Sequence, residues 1–571
     1  LGSVLNGGGS WPAGNKYATA AEWLALADSY YSASMSTDMK HKVPVIWGID
    51  AIHGNSNVYG ATQFPHNIGL GAAHDAKLVS RIGTAVGKAV RATGINWVFA
   101  PTLAVVRDDR WGRTYESFSE NPALVNAYGG AYVRGLQGDL RGDATVVATA
   151  KHFIGDGGTY EGKDQGINKA TTAEMINIHG AGYYSALAAG AQTVMATYNS
   201  WNNAETGVDY GKVHGSKALL TEALKQKMGF DGFVVSDWNG IGQIPGCTNA
   251  SCPQAINAGI DMVMVPDDWK AFIANTIKQV ESGEIPMARI DDAVSRIVRV
   301  KLRANMRKPS DSSFAGKQDA LQARALAREA VRKSLVLLKN DSAALPLKRG
   351  QRILVVGKSA DNMANQTGGW TLTWQGTDNK NSDFPNADTI LAGIADAAGK
   401  ANVTYSANAA GVDFSKFDVV VAVIGETPYA EGAGDIGPSG TLRHSGRYPE
   451  DLAALERVAG KGKPVVTVLV SGRPVYANDL MNLSDSFVMA WLPGTEGKGV
   501  ADVLFRSGGH GFTGKLSFSW PKSVCQATLN KGDKDYAPLF ATGYGLRYGS
   551  KSAVGKLETS YPAGGCGTTN L

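Results

Sequence analysis

The chain has 571 residues, too many for one ordinary core, so two or more domains are expected. Hydrophobic residues make up 43%, charged residues 19% and the net charge is +5, which excludes a disordered chain; no run of Lys and Arg argues for nucleic acid. No stretch approaches the roughly 18 uninterrupted apolar residues of a membrane span, and 70 glycines, well above the usual share of about 7%, point to many tight loops.

The chain opens on LGSVLNGGGSWP, which reads as the middle of a domain, with a leader and some folded sequence expected upstream. Residues 1–305 then alternate short apolar runs with amphipathic stretches. The strand candidates are HKVPVIWGID, INWVFAP, ATVVATAKHF, AQTVMATYNS, DGFVVSDW and AGIDMVMVP. Helical segments such as AKLVSRIGTAVGKAVRATG and SKALLTEALKQKMG separate them. Such alternation means a parallel sheet, and repeated this often it predicts a (β/α)-barrel. Polar residues close nearly every strand: Asp50, Arg107, Lys151 with His152, Tyr198 and Asp237. Barrels carry their chemistry at the carboxyl ends of strands, so this pattern marks an active face.

Residues 306–325, polar and holding Pro309 and several serines, read as a linker. Residues 326–550 begin with a predicted helix, LQARALAREAVRKSLVLLKN, whose first residues overlap that linker. The strand candidates RILVVGKSA, ANVTYSA, FDVVVAVIGET, KPVVTVLVSG, SFVMAWLPG and GKLSFSW follow, which predicts a second α/β domain with a mostly parallel sheet between helices. Residues 551–571 read as a polar tail leading to a removed module. The four cysteines fall into two local groups, Cys247 with Cys252 and Cys525 with Cys566. Two disulfides in an oxidising compartment or four buried thiols would account for them. No Cys/His spacing suits zinc.

The common route of polysaccharide hydrolysis needs two carboxyl groups at one glycosidic bond, with aromatic faces and polar side chains to hold sugar. VVSDWNG puts Asp237 at a strand mouth beside Trp238, as a nucleophile or as a helix cap. VAVIGETPYAEGAGD puts Glu426 and Glu431 in a Gly-rich loop that is functional or merely solvated. AKHFIGDGG offers Lys151 and His152 for hydroxyl groups; both phosphate-loop patterns are absent. RDDRWGRTYESFSENP, if buried, must pair its charges and would set Arg113 rigidly. TGGWTLTWQG holds Trp370 and Trp374, as sugar platforms or as core.

In these residues the chain resembles glycoside hydrolase family 3, in its exo-β-glucanase and β-glucosidase branch. The motifs WGIDAIHG, NVYGATQFPHNIGLGA, RWGRTYESFSENP, AKHFIGDGGT, TVMATYNSWN, GFVVSDW, GGWTLTWQG and GETPYAEGAGD carry the resemblance, in the family's order. It implies an α/β fold: a (β/α)8-like barrel, here without its opening strand and helix, then an (α/β)6 sandwich. It implies Asp237 as nucleophile and Glu431, from the second domain, as acid/base, in a site formed when both domains dock. Asp237 is expected to be ionised and Glu431 to titrate higher. Asp50, Arg113, Lys151, His152, Met195 and Tyr198 would hold the nonreducing glucose, and Trp238 and Trp374 the next sugar. The implied activity is release of glucose, with retention, from β-glucans and cello-oligosaccharides outside the cytoplasm, in the periplasm or cell exterior. No metal or organic cofactor is implied, and the oligomeric state is left open.

Two positions depart from this branch. Gln243 stands where relatives carry Arg, and Lys169 where they often carry Glu. GDGGTYEGKDQG has no His, which argues against the N-acetylglucosaminidase branch. A β-xylosidase or broad β-glycosidase is the nearest rival, a carbohydrate-binding protein without turnover a more distant one, and a nucleotide-dependent α/β enzyme the last.

Overall fold

Short apolar strands, each followed by an amphipathic helix, build the first half of the chain. The computed structural model describes residues 2–552, 554–561 and 566; the rest of the predicted tail lies outside the described residues. The chain divides into two compact units. The first comprises Leu1–Tyr59, Ala76–Val105 and Pro122–Gln322. The second comprises Gly60–Asp75, Val106–Asn121 and Ala323–Leu571.

In the first unit six strands pair in chain order: β1 (Ser3–Asn6), β2 (Ile46–Ile49), β3 (Trp97–Val98), β4 (Val147–Phe153), β5 (Thr193–Ala196) and β6 (Phe233–Val235). All the pairings are parallel, giving a curled half-barrel sheet. Its core gathers Ile46, Trp97, Phe99, Val147, Met195, Phe233 and Val235 with Met262, Met264 and Val300. Each such side chain taken from water contributes about 1.5–3 kcal/mol. β1 was not among the strands read from sequence, because SVLN is short and lies in a Gly-rich stretch. AGIDMVMVP, expected as a strand, adds a single parallel bridge, Val235 to Met262. Backbone bonds such as Met262 N–H to the Val234 carbonyl and Ser236 N–H to the Met262 carbonyl are supplemented there by side chains: Asp261 accepts the Val234 N–H, and Met264 N–H donates to Ser236 Oγ. The stretch after Met306 packs on this unit, with Gly316 N–H donating to the Ala92 carbonyl and Ala20 N–H to Gln318.

The second unit holds the strands β7 (Val336–Asn340), β8 (Ile353–Val356), β9 (Val403–Tyr405), β10 (Val419–Gly425), β11 (Val465–Val470) and β12 (Ser486–Trp491). Their order is β7-β12-β11-β10-β8-β9, parallel except for β7. Every residue of β10, β11 and β12 is buried. Side chains alternate between the faces of a strand, so both faces of this sheet are covered, as an α/β sandwich requires. One expectation is corrected here. The helix predicted to run to Asn340 ends at Ser334, and Val336–Asn340 is the antiparallel edge strand. The VLL run is buried along β12, and that pairing overrides the helical pattern before it. GKLSFSW, also expected as a strand, forms only the bridge Trp520–Phe540. Its Ser517 and Ser519 hydroxyls bond Phe118 and Glu120 instead.

Among the described residues no helix is long and apolar enough to cross a membrane. Cys247 bonds Cys252, and Cys525 bonds Cys566.

Candidate active site

In the first unit the polar side chains at the carboxyl ends of β2, β4, β5 and β6 meet in pairs. Asp50, just after β2, accepts from Lys151 Nζ at 2.7 Å. His152, beside Lys151 on β4, has Nδ1 2.9 Å from Asp156 Oδ2. A carboxylate only accepts, so Nδ1 carries a proton and Nε2 turns to the other neighbour. That neighbour is Asp237, whose Oδ2 lies 3.7 Å from His152 Nε2. Met195 is buried in the barrel core and pairs in register with Val235, two residues before Asp237.

Asp237 is held from several sides. Its other oxygen, Oδ1, accepts the Trp238 N–H at 2.7 Å. Its own N–H donates to His214 Nε2 at 3.0 Å. That ring nitrogen must present a lone pair, so His214 is neutral; burial pushes its imidazolium down to about 3. Gly240 is required here, since a Cβ at that position would lie 2.5 Å from the His214 ring. Tyr198 Oη donates to the Trp238 carbonyl at 2.6 Å. The Trp238 ring is 40% exposed and rests on Gly7, where a Cβ would come within 2.8 Å of it. The result is an oriented carboxylate next to a half-exposed aromatic face.

Beyond Asp237, Gln243 donates to Gln165 Oε1 at 2.8 Å and accepts from Lys212 Nζ at 3.1 Å. A lysine thus stands beside the position where an arginine was expected. Burial lowers the Lys212 ammonium, and Lys163 adds to this. Lys169 lies over the Tyr160 ring, 3.4 Å from its centroid.

In the second unit Arg113, Trp374 and Glu431 occupy loops. Arg113 and Glu116 are buried and hydrogen bonded to each other, the charge pairing that a buried loop demands. Arg113 Nη1 lies 3.6 Å from Glu431 Oε1. The Glu431 side chain is 18% exposed. Gly112 packs on its backbone, and a Cβ there would fall 2.0 Å from the Glu431 carbonyl oxygen. Trp374 is 43% exposed, whereas Trp370 is buried.

Glu426, the other carboxyl group of this loop, has a different setting. It is buried and receives Arg447, Tyr429, the Ser471 hydroxyl and the Gly472 N–H, with Arg473 at 3.3 Å. Burial alone would raise its carboxyl group, but the two guanidiniums outweigh this and hold it far below the usual carboxylate range. Such a group has no proton to give near neutral pH.

Sequence reasoning missed Asp156, His214 and Gln375, the residue after Trp374. A polar residue four positions after His152 could have suggested Asp156. Gln375 stands inside the TGGWTLTWQG motif, where only its tryptophans were singled out, and His214 carries no local signal.

Residues 1–300 match the N-terminal domain of glycosyl hydrolase family 3, and residues 335–548 match its C-terminal domain. The chain belongs to this family and is a glycoside hydrolase. It is 31% identical to a lysosomal beta glucosidase of Dictyostelium discoideum over 593 aligned positions, covering 96% of this chain and 70% of that protein. It is 30% identical to a periplasmic beta-glucosidase of Salmonella typhimurium, covering 89% of this chain and 71% of that one. The crystal structure of an exo-1,3/1,4-beta-glucanase from a Pseudoalteromonas species is similar at a TM-score of 0.93 and 52% identity, covering 98% of this chain and 71% of that chain.

Proposed function

We propose that this glycoside hydrolase is a retaining, exo-acting β-glucosidase that removes glucose from the nonreducing ends of β-glucans and cello-oligosaccharides. The observation that carries the reading is Asp237. It is a carboxylate at the carboxyl end of a barrel strand, with one oxygen bonded by a backbone N–H and the other facing a histidine. Its carboxylate attacks the anomeric carbon while Glu431 gives its proton to the departing glycosidic oxygen. Water, deprotonated by Glu431, then attacks the same carbon and frees β-glucose, restoring the Asp237 carboxylate. The contrast between Glu431 and Glu426 supports this assignment, since Glu426 is locked as a buried, paired anion.

In this reading Asp50, Lys151, His152 and Arg113 bond the hydroxyls of the nonreducing glucose, with Tyr198 and Met195 completing that subsite. The exposed faces of Trp238 and Trp374 stack on the next sugar; flat faces recognise sugar surfaces more than hydroxyl positions, so tolerance of linkage follows. Two disulfides and a polymeric substrate favour a secreted or periplasmic enzyme.

Proton NMR of the product from cellobiose tests the mechanism. The wild-type enzyme should release β-glucose first. Asp237→Ala should lose at least about 10³-fold in kcat. Glu431→Ala with azide should form β-glucosyl azide. Initial release of α-glucose, or full cellobiose activity in Glu431→Ala, would overturn it.

A further inference from the structure

The loops that carry Trp374 and Glu431 are joined by one side chain. Gln375 Nε2 donates to the Ala430 carbonyl at 3.1 Å, and Gln375 Oε1 accepts the Ala430 N–H at 2.8 Å. A primary amide matches a peptide group in this way, donor to acceptor and acceptor to donor; Asn and Gln do so at any pH, a carboxyl group only when protonated. The residue after the exposed tryptophan therefore grips the residue before the carboxyl group.

Both ends of this link are rigid. Ala430 is fully buried. Glu431 has φ 53°, a left-handed conformation that a non-glycine residue keeps only where its surroundings hold it. Gly112 closes on its carbonyl, and Gly112 N–H donates to Asp435 Oδ1 at 2.8 Å. On the tryptophan side, Trp370 N–H donates to the Trp374 carbonyl at 2.8 Å, and Thr373 Oγ1 bonds Asp378 at 2.9 Å. Little slack is left between the aromatic face and the carboxyl group.

We propose that Gln375 is a positioning residue that sets the Glu431 carboxyl group in register with the Trp374 face. A sugar stacked on Trp374 then presents its glycosidic oxygen where Glu431 delivers the proton. The proposal rests on the reading of Glu431 as acid/base. It predicts an effect that depends on the leaving group. A sugar leaves only as it is protonated, whereas dinitrophenolate leaves without a proton. A misplacement of about 1 Å costs up to about 10²-fold, and only the first substrate should feel it.

The test compares kcat/KM, which reports the bond-breaking step, for cellobiose and for 2,4-dinitrophenyl β-glucoside. Gln375→Ala should lose about 10- to 100-fold on cellobiose and less than about threefold on the dinitrophenyl substrate. Gln375→Glu keeps the size of the side chain. It can donate to the Ala430 carbonyl only when protonated, so its cellobiose activity relative to wild type should recover as pH falls from 7 toward about 4. Equal losses on both substrates, no loss on either, or a Gln375→Glu ratio flat in pH would overturn the proposal. Glu431→Ala is measured alongside. If it loses cellobiose activity while Gln375→Ala does not, only the role of Gln375 fails; if it keeps that activity, the acid/base reading fails first.

Discussion

Two neighbours of Asp237 do different jobs. The Trp238 N–H occupies one carboxylate oxygen, while His214 takes the backbone N–H and so fixes where the residue begins. His214 can do this only as the neutral ring. Its unfolded value is near 6.5 and its folded value about 3, so the unfolded chain takes up this proton first as pH falls. The stability tied to His214 is therefore complete above pH ~6.5 and is lost as pH drops, reaching about 4 kcal/mol at pH 3. Urea unfolding of wild type and His214→Asn should show the largest stability advantage for wild type at pH 7.5 and a shrinking one at pH 5 and pH 4. A pH-independent difference would mean that His214 is not buried neutral. Asp237 itself was legible in the sequence, because an apolar strand ending in Asp-Trp is a local pattern. His214 was not: KVHGS looks like an ordinary turn, and its partner lies 23 residues further on, past the end of β6.

The element-scale feature that matters is how closely the loops around Glu431 are fitted. Gly112 approaches the Glu431 carbonyl where no Cβ can fit, and Ile436 N–H donates to the Arg110 carbonyl at 2.8 Å. The three atoms that a Cβ at Gly112 would meet, on Glu431, Gly434 and Asp435, are all backbone, so none can swing aside. Gly112→Ala should push the carboxyl group out of place and lower cellobiose kcat/KM by about tenfold or more, with far-ultraviolet circular dichroism unchanged. Wild-type activity in this variant would show that the loops can part at little cost. The sequence pointed to the Arg113 loop by its density of charge, and the buried Arg113–Glu116 pair is the pairing that such density requires. It could not point to Gly112, since a glycine's need for space is set by whatever packs on it. The helix expected to reach Asn340 failed for a related reason: the apolar run VLL suits a buried helix as well as a buried strand, and contact with β12 decided.

Across the whole molecule the chain passes between the two units more than once. Gly60–Asp75 and Val106–Asn121 belong to the second unit although they lie within the first third of the sequence. Within that unit Lys333 Nζ bonds Asp75 at 2.9 Å, and Ser519 Oγ bonds Glu120 at 2.7 Å. Residues 323–571 alone would therefore lack two buried parts of their own core. Expressed by themselves they should give no cooperative unfolding and no near-ultraviolet circular dichroism, and co-expression with residues 1–322 should restore both. A cooperatively folding 323–571 fragment would refute this division of the chain.

By itself the sequence determined the alternation of strand and helix and the family, and it marked Asp237 and Glu431 as candidates, because each rests on a short contiguous pattern. Only the tertiary structure decided that Glu426 is buried between Arg447 and Arg473 while the Glu431 side chain is partly exposed, that His214 and Gln375 hold the two carboxyl-bearing segments, and which unit two early segments join. These depend on contacts between residues far apart in the chain, and a burial or a hydrogen-bond partner of that kind leaves no mark in the local order of amino acids.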